Sequence, residues 1–196
     1  VTILFLVPLQ GICTSIREEG ARHTMKVLVL GSRGQLGRAL VSAFQHTAQV
    51  VQCNRPDYDI SDPFITSQLE ELRPDIVINS AAWTDVDAAE QNSNAAYAIN
   101  SLGPKYIAEG CKRCGAQLVH ISTNEVFSGE AGQFYREYDL ASPGSVYARS
   151  KYAGEQAVRA TLDQHYMVRV AWLFGPSENN FPSKIVAAAK KYGKLR

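Results

Sequence analysis

The chain lacks the features that would tie it to a polyanion, a membrane or an oxidising compartment. Its 20 lysines and arginines are nearly balanced by 19 aspartates and glutamates, for a formal net charge of +1. There is no field to gather nucleic acid or an anionic membrane surface. Cysteine is scarce. Cys13, Cys53, Cys111 and Cys114 are too few and too scattered for a disulfide framework, and a reduced, cytoplasmic setting is expected. Cys111-Lys-Arg-Cys114 is a C-x-x-C with no second pair and no nearby histidine, so no metal site is expected. The two thiols read as half-buried residues at a helix end, ahead of Gly115 as its cap. A long hydrophobic run is missing as well. Val1–Leu9 is apolar but too short to span a bilayer, has no basic start, and precedes no small-residue cleavage site.

What is present reads as one globular domain. Hydrophobic residues make up 45% and charged residues 20% of 196 positions, an ordinary balance for a chain long enough to bury a full core. The pattern changes at Met25. Residues 1–24 match nothing that follows and are expected to be an extension outside the fold. Residues 25–196, which contain no internal repeat or low-complexity run, are expected to form the domain.

Lys26–Leu40, KVLVLGSRGQLGRAL, organises that domain. Lys26 to Leu30 read as a short strand buried on both faces. Glycines follow at 31, 34 and 37, and then apolar residues at helical spacing: Leu36, Leu40, Val41 and Phe44. A strand turning through glycines into a helix sets unpaired helix N–H groups beside bare backbone, which suits a pyrophosphate. The spacing is G-x-x-G-x-x-G, one residue longer in its first turn than the commonest dinucleotide fingerprint. The second strand, Gln49–Cys53, ends in Cys-Asn-Arg rather than the acid that commonly holds a ribose 2′-hydroxyl. Arg55, with Arg33 in the glycine turn, is therefore a candidate for a 2′-phosphate, favouring NADPH over NADH.

The pattern continues as alternating helices and strands. Asp62 and Pro63 read as N-cap and first residue of a helix reaching Leu72. A third strand, Asp75–Asn79, ends in Ser80-Ala81-Ala82, small enough for a ribose or flat ring to lie close. A helical stretch Ala95–Cys114 is expected to bend at Pro104. Strands at Gln117–Ser122 and Tyr166–Ala171 and helices at Val146–Ala160 and Phe181–Tyr192 complete the series. His120, inside an apolar strand, reads as a core histidine. The sum is α/β: a Rossmann-type, doubly wound parallel sheet in three layers, whose ligands lie at the carboxyl ends of the strands.

Tyr147-Ala-Arg-Ser-Lys151 is Y-x-x-x-K, and a spacing of four puts both side chains on one helical face. A lysine cation beside a tyrosine is expected to lower the phenol's pKa from near 10 and make it a usable acid or base. Thr123, at a strand end, can hydrogen-bond the same carbonyl oxygen that Tyr147 protonates. Thr123, Tyr147 and Lys151 are the candidate catalytic set.

From Met25 on, the chain resembles the extended short-chain dehydrogenases/reductases, and within them the dTDP-4-dehydrorhamnose reductase family. The resemblance rests on GSRGQLG at 31–37, NSAAWTDVDAAE at 79–90, IN at 99–100 and STNEVFSG at 122–129. It continues in YARSKYAGE at 147–155, RVAWLFG at 169–175 and NNF at 179–181. It implies an enzyme with bound NADPH (or NADH) that reduces the 4-keto group of a dTDP-linked 6-deoxysugar, dTDP-4-dehydro-L-rhamnose to dTDP-L-rhamnose. By the same resemblance, Gly31, Arg33, Gly34, Gln35, Leu36 and Gly37 would hold the pyrophosphate and Asp59 and Ile60 would lie by the adenine. Ala81, Ala82 and Thr84 would follow the ribose and nicotinamide. Tyr147 and Lys151 would act as acid and ribose anchor, and Val86, Thr123, Asn124 and Trp172 would face the sugar. Trp172 reads equally as a core tryptophan. The implied partner is a nucleotide sugar, with a homodimer as the candidate assembly and neither nucleic acid nor membrane.

Two departures stand out. Asn124-Glu125 replaces the commoner Asp-Tyr, and the family continues past position 196 into a substrate lobe, so the chain is expected to be a C-terminally truncated fragment. Two other readings stay open. One is a non-catalytic NADP-binding subunit like the regulatory β subunit of methionine adenosyltransferase. The other is a sugar-nucleotide epimerase or dehydratase.

Overall fold

A computed structural model describes residues 24–130, 132, 134–175 and 180–193. The expected N-terminal extension, apart from Thr24, lies outside the described residues, as does Asn179 of the NNF segment. Among the described residues, five parallel strands form one sheet in the order β2-β1-β3-β4-β5: β1 Lys26–Leu30, β2 Gln49–Cys53, β3 Ile76–Asn79, β4 Gln117–Thr123 and β5 His165–Val170. Because β1 pairs with β2 on one side and β3 on the other, the winding reverses at β1 and opens a crevice at the carboxyl ends of β1 and β3.

Side-chain alternation along β1 divides the core. Val27 and Val29, with Ile76 and Ile78 of β3, pack under Leu40, Val41 and Phe44 of α1 (Gln35–Phe44). Leu28 and Leu30, with Val77 and Leu118, face the other way, onto Ile65 and Leu69 of α2 (Ile65–Leu72) and Ile107 and Cys111 farther along the chain. Each fully buried Leu, Ile or Val contributes about 1.5–3 kcal/mol, and both faces of β1 are covered, as its unbroken apolar run requires.

Several boundaries differ from the sequence reading. The second helix starts at Ile65, not Pro63. Asp62 accepts from Phe64 N–H at 2.9 Å, and tight bonds from Ile65 and Thr66 N–H to the carbonyls three residues back form a narrow lead-in turn. The stretch expected as one helix bent at Pro104 is three elements: α4 Ser93–Tyr97, a π-helical turn Ala98–Leu102, and α5 Gly103–Cys114. Pro104 sits in the first turn of α5, where its missing N–H is not needed. The break falls earlier, at the π turn, because Asn100 is drawn out of the helix register to reach other segments. A short α3, Val86–Gln91, precedes α4. The last two helices are α6 Val146–Thr161 and α7 Phe181–Tyr192.

Helix α6 lies hard against the π turn. A Cβ at Gly154 would stand 2.1 Å from the Asn100 carbonyl oxygen, so only glycine permits this approach. Gly154→Ala is expected to destabilise the fold by about 1–3 kcal/mol, read as a lower urea midpoint. An unchanged midpoint would mean the helix can withdraw freely.

Candidate active site

A cleft of about 880 Å³ opens along the carboxyl ends of the strands. Its floor begins at the glycine turn. Gly31 takes a φ of +75° and donates to Cys53 O at 2.9 Å, and Gly34 N–H closes the turn on Gly31 O at 2.9 Å. Gly34 is the N-cap of α1, and no side chain caps that helix end, so its N-terminal dipole faces the cleft uncovered. Gly31, Arg33, Gly34, Gln35 and Leu36 line the cleft. Gly37 does not. It is buried beneath the turn, where a Cβ would lie 2.2 Å from Gly31 O, and its part is close packing.

The end of β2 is built into the same turn. Asn54 accepts from Arg33 N–H at 2.9 Å and donates to Ser32 Oγ at 2.5 Å. Asn54 and Tyr58 line the cleft with Arg55, Asp59 and Ile60. Neither Asn54 nor Tyr58 stood out in the sequence, although Asn54 occupies the strand end where an acid was sought. The Asp59 carboxylate accepts from Ser61 Oγ at 2.7 Å and Ser61 N–H at 2.9 Å, and the Ser61 hydroxyl holds its pKa below the ordinary value. Ala81, Ala82 and Thr84 also line the cleft, with Ala81 packed against Gly31. Val86 is the first residue of α3 and does not line the cleft.

Thr123, Tyr147 and Lys151 come together at the far end of the cleft, with Asn124 and Glu125 beside them. Tyr147 and Lys151 lie one turn apart on α6, and Thr123 ends β4. Lys151 is 2% exposed and donates from Nζ to Ile121 O at 2.6 Å. Burial lowers its pKa to about 8, opposed by the negative charge of Glu155.

The expected acidification of Tyr147 by Lys151 is not what the site does. Burial pushes the Tyr147 phenol up, the Thr123 hydroxyl pulls it down, and the Glu125 charge pushes it up further. The Lys151 ammonium donates to a strand carbonyl, and the phenol lies above its ordinary pKa.

Trp172 lines the cleft, is 66% exposed and has a φ of +50°, which excludes the core reading. Next to it, Leu173 O accepts from Gln35 Nε2 at 3.1 Å, linking the strand end after β5 to the glycine turn. Asn180 and Lys184, at the start of α7, also reach the cleft; Asn180 belongs to the NNF segment but was given no site role, and Lys184 was not singled out in the sequence. His120 is a core histidine, 1% exposed, with Nδ1 bonded to Asn79 Nδ2 at 3.1 Å. Of the C-x-x-C pair, Cys111 is fully buried rather than half-buried, and burial pushes its thiol pKa up. Among the described residues no group of three or more His, Cys, Asp or Glu could hold a metal, and no helix is long and apolar enough to cross a membrane.

A doubly wound sheet, a glycine turn at its switch point and a Thr-Tyr-Lys set on the same rim define the architecture of the extended short-chain dehydrogenases/reductases. The chain belongs to the family described as RmlD substrate binding domain, which matches residues 25–196. It is 38% identical over 181 residues to the dTDP-4-dehydrorhamnose reductase of Mycobacterium tuberculosis (strain ATCC 25618 / H37Rv), covering 89% of this chain and 59% of that protein. To the dTDP-4-dehydrorhamnose reductase of Streptomyces griseus it is 42% identical over 162 residues, covering 81% and 53%. The crystal structure of dTDP-4-dehydrorhamnose reductase from Bacillus anthracis in complex with NADP superposes with a TM-score of 0.85 at 33% identity, covering 90% of this chain and 64% of that one. The chain thus spans less than two thirds of the length of these relatives.

Burying Lys151 has a cost that can be measured. A shift from 10.5 to about 8 corresponds to roughly 3 kcal/mol. Lys151→Met is expected to raise stability at pH 7 by about 1–3 kcal/mol. The unfolded chain binds the lysine proton more tightly than the folded one between these two values. The wild type therefore gains stability as pH rises from about 8 towards 10.5, and the variant's advantage shrinks over that range. Urea unfolding at pH 7 and pH 10 reads both effects. No gain at pH 7 would show that Ile121 and Glu155 fully repay the burial.

Proposed function

We propose that the protein uses NADPH, or less favourably NADH, to reduce the 4-keto group of a dTDP-linked 6-deoxysugar, converting dTDP-4-dehydro-L-rhamnose to dTDP-L-rhamnose. The observation that carries this is the placing of Thr123, Tyr147 and Lys151 on the same cleft as the uncapped helix start and the glycine turn. The residues present fit a dinucleotide. The turn offers bare backbone and a helix dipole to the pyrophosphate, and Arg33 and Arg55 stand exposed at the end where a 2′-phosphate would lie. The relatives named dTDP-4-dehydrorhamnose reductase, one of them crystallised with NADP, support the same reading.

The nicotinamide supplies the hydride when bound. The chain's own residues do the rest. Thr123 hydrogen-bonds the keto oxygen and fixes its direction, Tyr147 delivers the phenolic proton to that oxygen, and Lys151 brings a positive charge beside the ribose. Ala81 and Ala82 leave room for the flat ring, and Trp172 offers an exposed aromatic face to the sugar. Its partner is the nucleotide sugar, and a reduced, cytoplasmic setting suits its buried thiols.

Tyr147→Phe keeps the ring and removes the proton. It is expected to cut turnover by about 10²–10⁴-fold while leaving NADPH affinity, measured by fluorescence titration, nearly intact. Near-normal turnover would leave the helix pair a structural role only. Arg55→Ala should weaken NADPH more than NADH in the same titration, and equal losses would remove the basis for the preference.

Glu125 on this cleft raises the dehydratase reading, since elimination from an intact sugar needs both a base and an acid. Asn124, its neighbour, has no proton to give at neutral pH, so it cannot be the acid that protonates a leaving hydroxyl. With dTDP-glucose the protein is expected to form no 4-keto-6-deoxy product. Its appearance would assign the chain to the dehydratases.

A further inference from the structure

The segment 79–90, NSAAWTDVDAAE, holds the residues that line one wall of the cleft, yet its last residue does not reach it. Glu90 lies in the last turn of α3, 56 residues before Val146, the first residue of α6. Its Oε1 accepts from Val146 N–H at 2.7 Å. The N-terminal N–H groups of a helix have no partner within it. Here Ser145 Oγ takes the one from Ala148 at 3.0 Å, and the distant Glu90 carboxylate takes the one from Val146. Tyr147 is the next residue. Van der Waals packing holds the same place: Ala89 beside Glu90, Ala96 of α4 and Val146 form one buried cluster, against which Trp83 and Tyr147 pack.

We propose that Glu90 is a positioning residue for Tyr147, capping the catalytic helix from the segment that forms the cofactor wall. The segment then holds α6 at two places. Glu90 grips its first residue. Trp83 reaches its second turn through Asn100, whose Nδ2 donates to Trp83 O and to Ser150 Oγ, both at 3.0 Å. A proton donor at the end of a long side chain magnifies any tilt of the helix start, and a displacement of an ångström at the reacting atoms can cost about 10²-fold. The kinetic consequence rests on the reductase reading, whereas the cap itself does not.

The test compares Glu90→Ala, which removes the acceptor, with Glu90→Gln, which keeps an oxygen at the same reach. Glu90→Ala is expected to lower kcat by about 10-fold or more, leaving the NADPH dissociation constant within about twofold. Glu90→Gln should restore most of the rate. In a Tyr147→Phe background the alanine change should cost less than about twofold more, because residues acting through one group are not additive. A merely structural role would lower kcat equally in both backgrounds, and a glutamine variant as slow as the alanine would rule out the acceptor. Either result overturns the proposal. Amide exchange and Tyr147 ring resonances need no turnover. The Val146 N–H should exchange faster and the ring signals should move in Glu90→Ala, with both restored in Glu90→Gln. Unchanged exchange and ring signals would overturn the proposal even if the chain reduces no sugar, while the expected changes would uphold it and leave only the reaction in question.

Discussion

The arrangement of the site depends on one buried amide. Asn100 is 1% exposed, and its side chain accepts from Trp83 N–H at 2.9 Å while donating to Trp83 O and Ser150 Oγ. Ser150 Oγ in turn donates to Tyr147 O at 2.7 Å. A single side chain thus joins the wall after β3 to the helix carrying Tyr147 and Lys151. An amide suits the task because it presents an acceptor and two donors at once. To supply that side chain the helix gives up its regular register over Ala98–Leu102. The π turn is the means by which the amide reaches both neighbours. Glycine at 154 is the complementary condition, since any Cβ there would push α6 off the turn.

Charge is buried on the same helix, and it is paired. Glu155 is fully buried and receives two hydrogen bonds from Arg169, Nε to Oε1 at 2.9 Å and a terminal nitrogen to Oε2 at 2.6 Å. The guanidinium lies 4.9 Å from the centroid of the Phe127 ring, which stacks on Tyr135 at 4.3 Å. A bidentate pair of this kind breaks even on stability at best. Its value here is geometric. It ties β5 to α6 and holds the loop after Asn124, next to the cleft, against them. The Glu155 charge also acts on Lys151, where it opposes the effect of burial.

How much of this could be read from the sequence depended on whether the signal was local. The bounds of β1 and β2 were legible because each is a short β-prone run closed by a sharp change, glycine after Leu30 and Asn-Arg after Cys53. The helix carrying Y-x-x-x-K was legible from its spacing, and so were the glycine turn and the parallel alternation. The π turn was not, because Ala95–Cys114 has an unbroken helical pattern, and only the reach of Asn100 to Trp83 breaks it. Tyr58 and Lys184 were missed for the same reason, since each acquires its place from a fold-level approach, and Asn54 and Asn180, though within quoted segments, were given no role. Gly37 and Val86 show the converse. Their motifs are recognisable, but burial under the turn and a place on α3 keep them off the cleft wall.

The direction of the Tyr147 shift is the reverse of the one expected from the Tyr-Lys spacing. At Tyr147 burial is the largest influence, and it raises the phenol whatever charge stands one turn away. Nζ gives one of its three N–H groups to the Ile121 carbonyl, and burial lowers its own pKa to about 8. What remains near the phenol is low polarity, one hydroxyl and the Glu125 carboxylate, and two of these three oppose the phenolate. For an oxidation that would be a handicap, because the tyrosine would have to surrender its proton before accepting one from an alcohol. For the proposed reduction the requirement is the reverse. The proton must stay on the phenol until the hydride arrives and leave only as negative charge builds on the keto oxygen. Thr123 can then stabilise the same oxygen at the moment of transfer. Glu125, which replaces an aromatic residue in the commoner pattern, is thus one of the groups that keep the phenol protonated. Asn124 beside it, an amide, has no second proton to give at neutral pH.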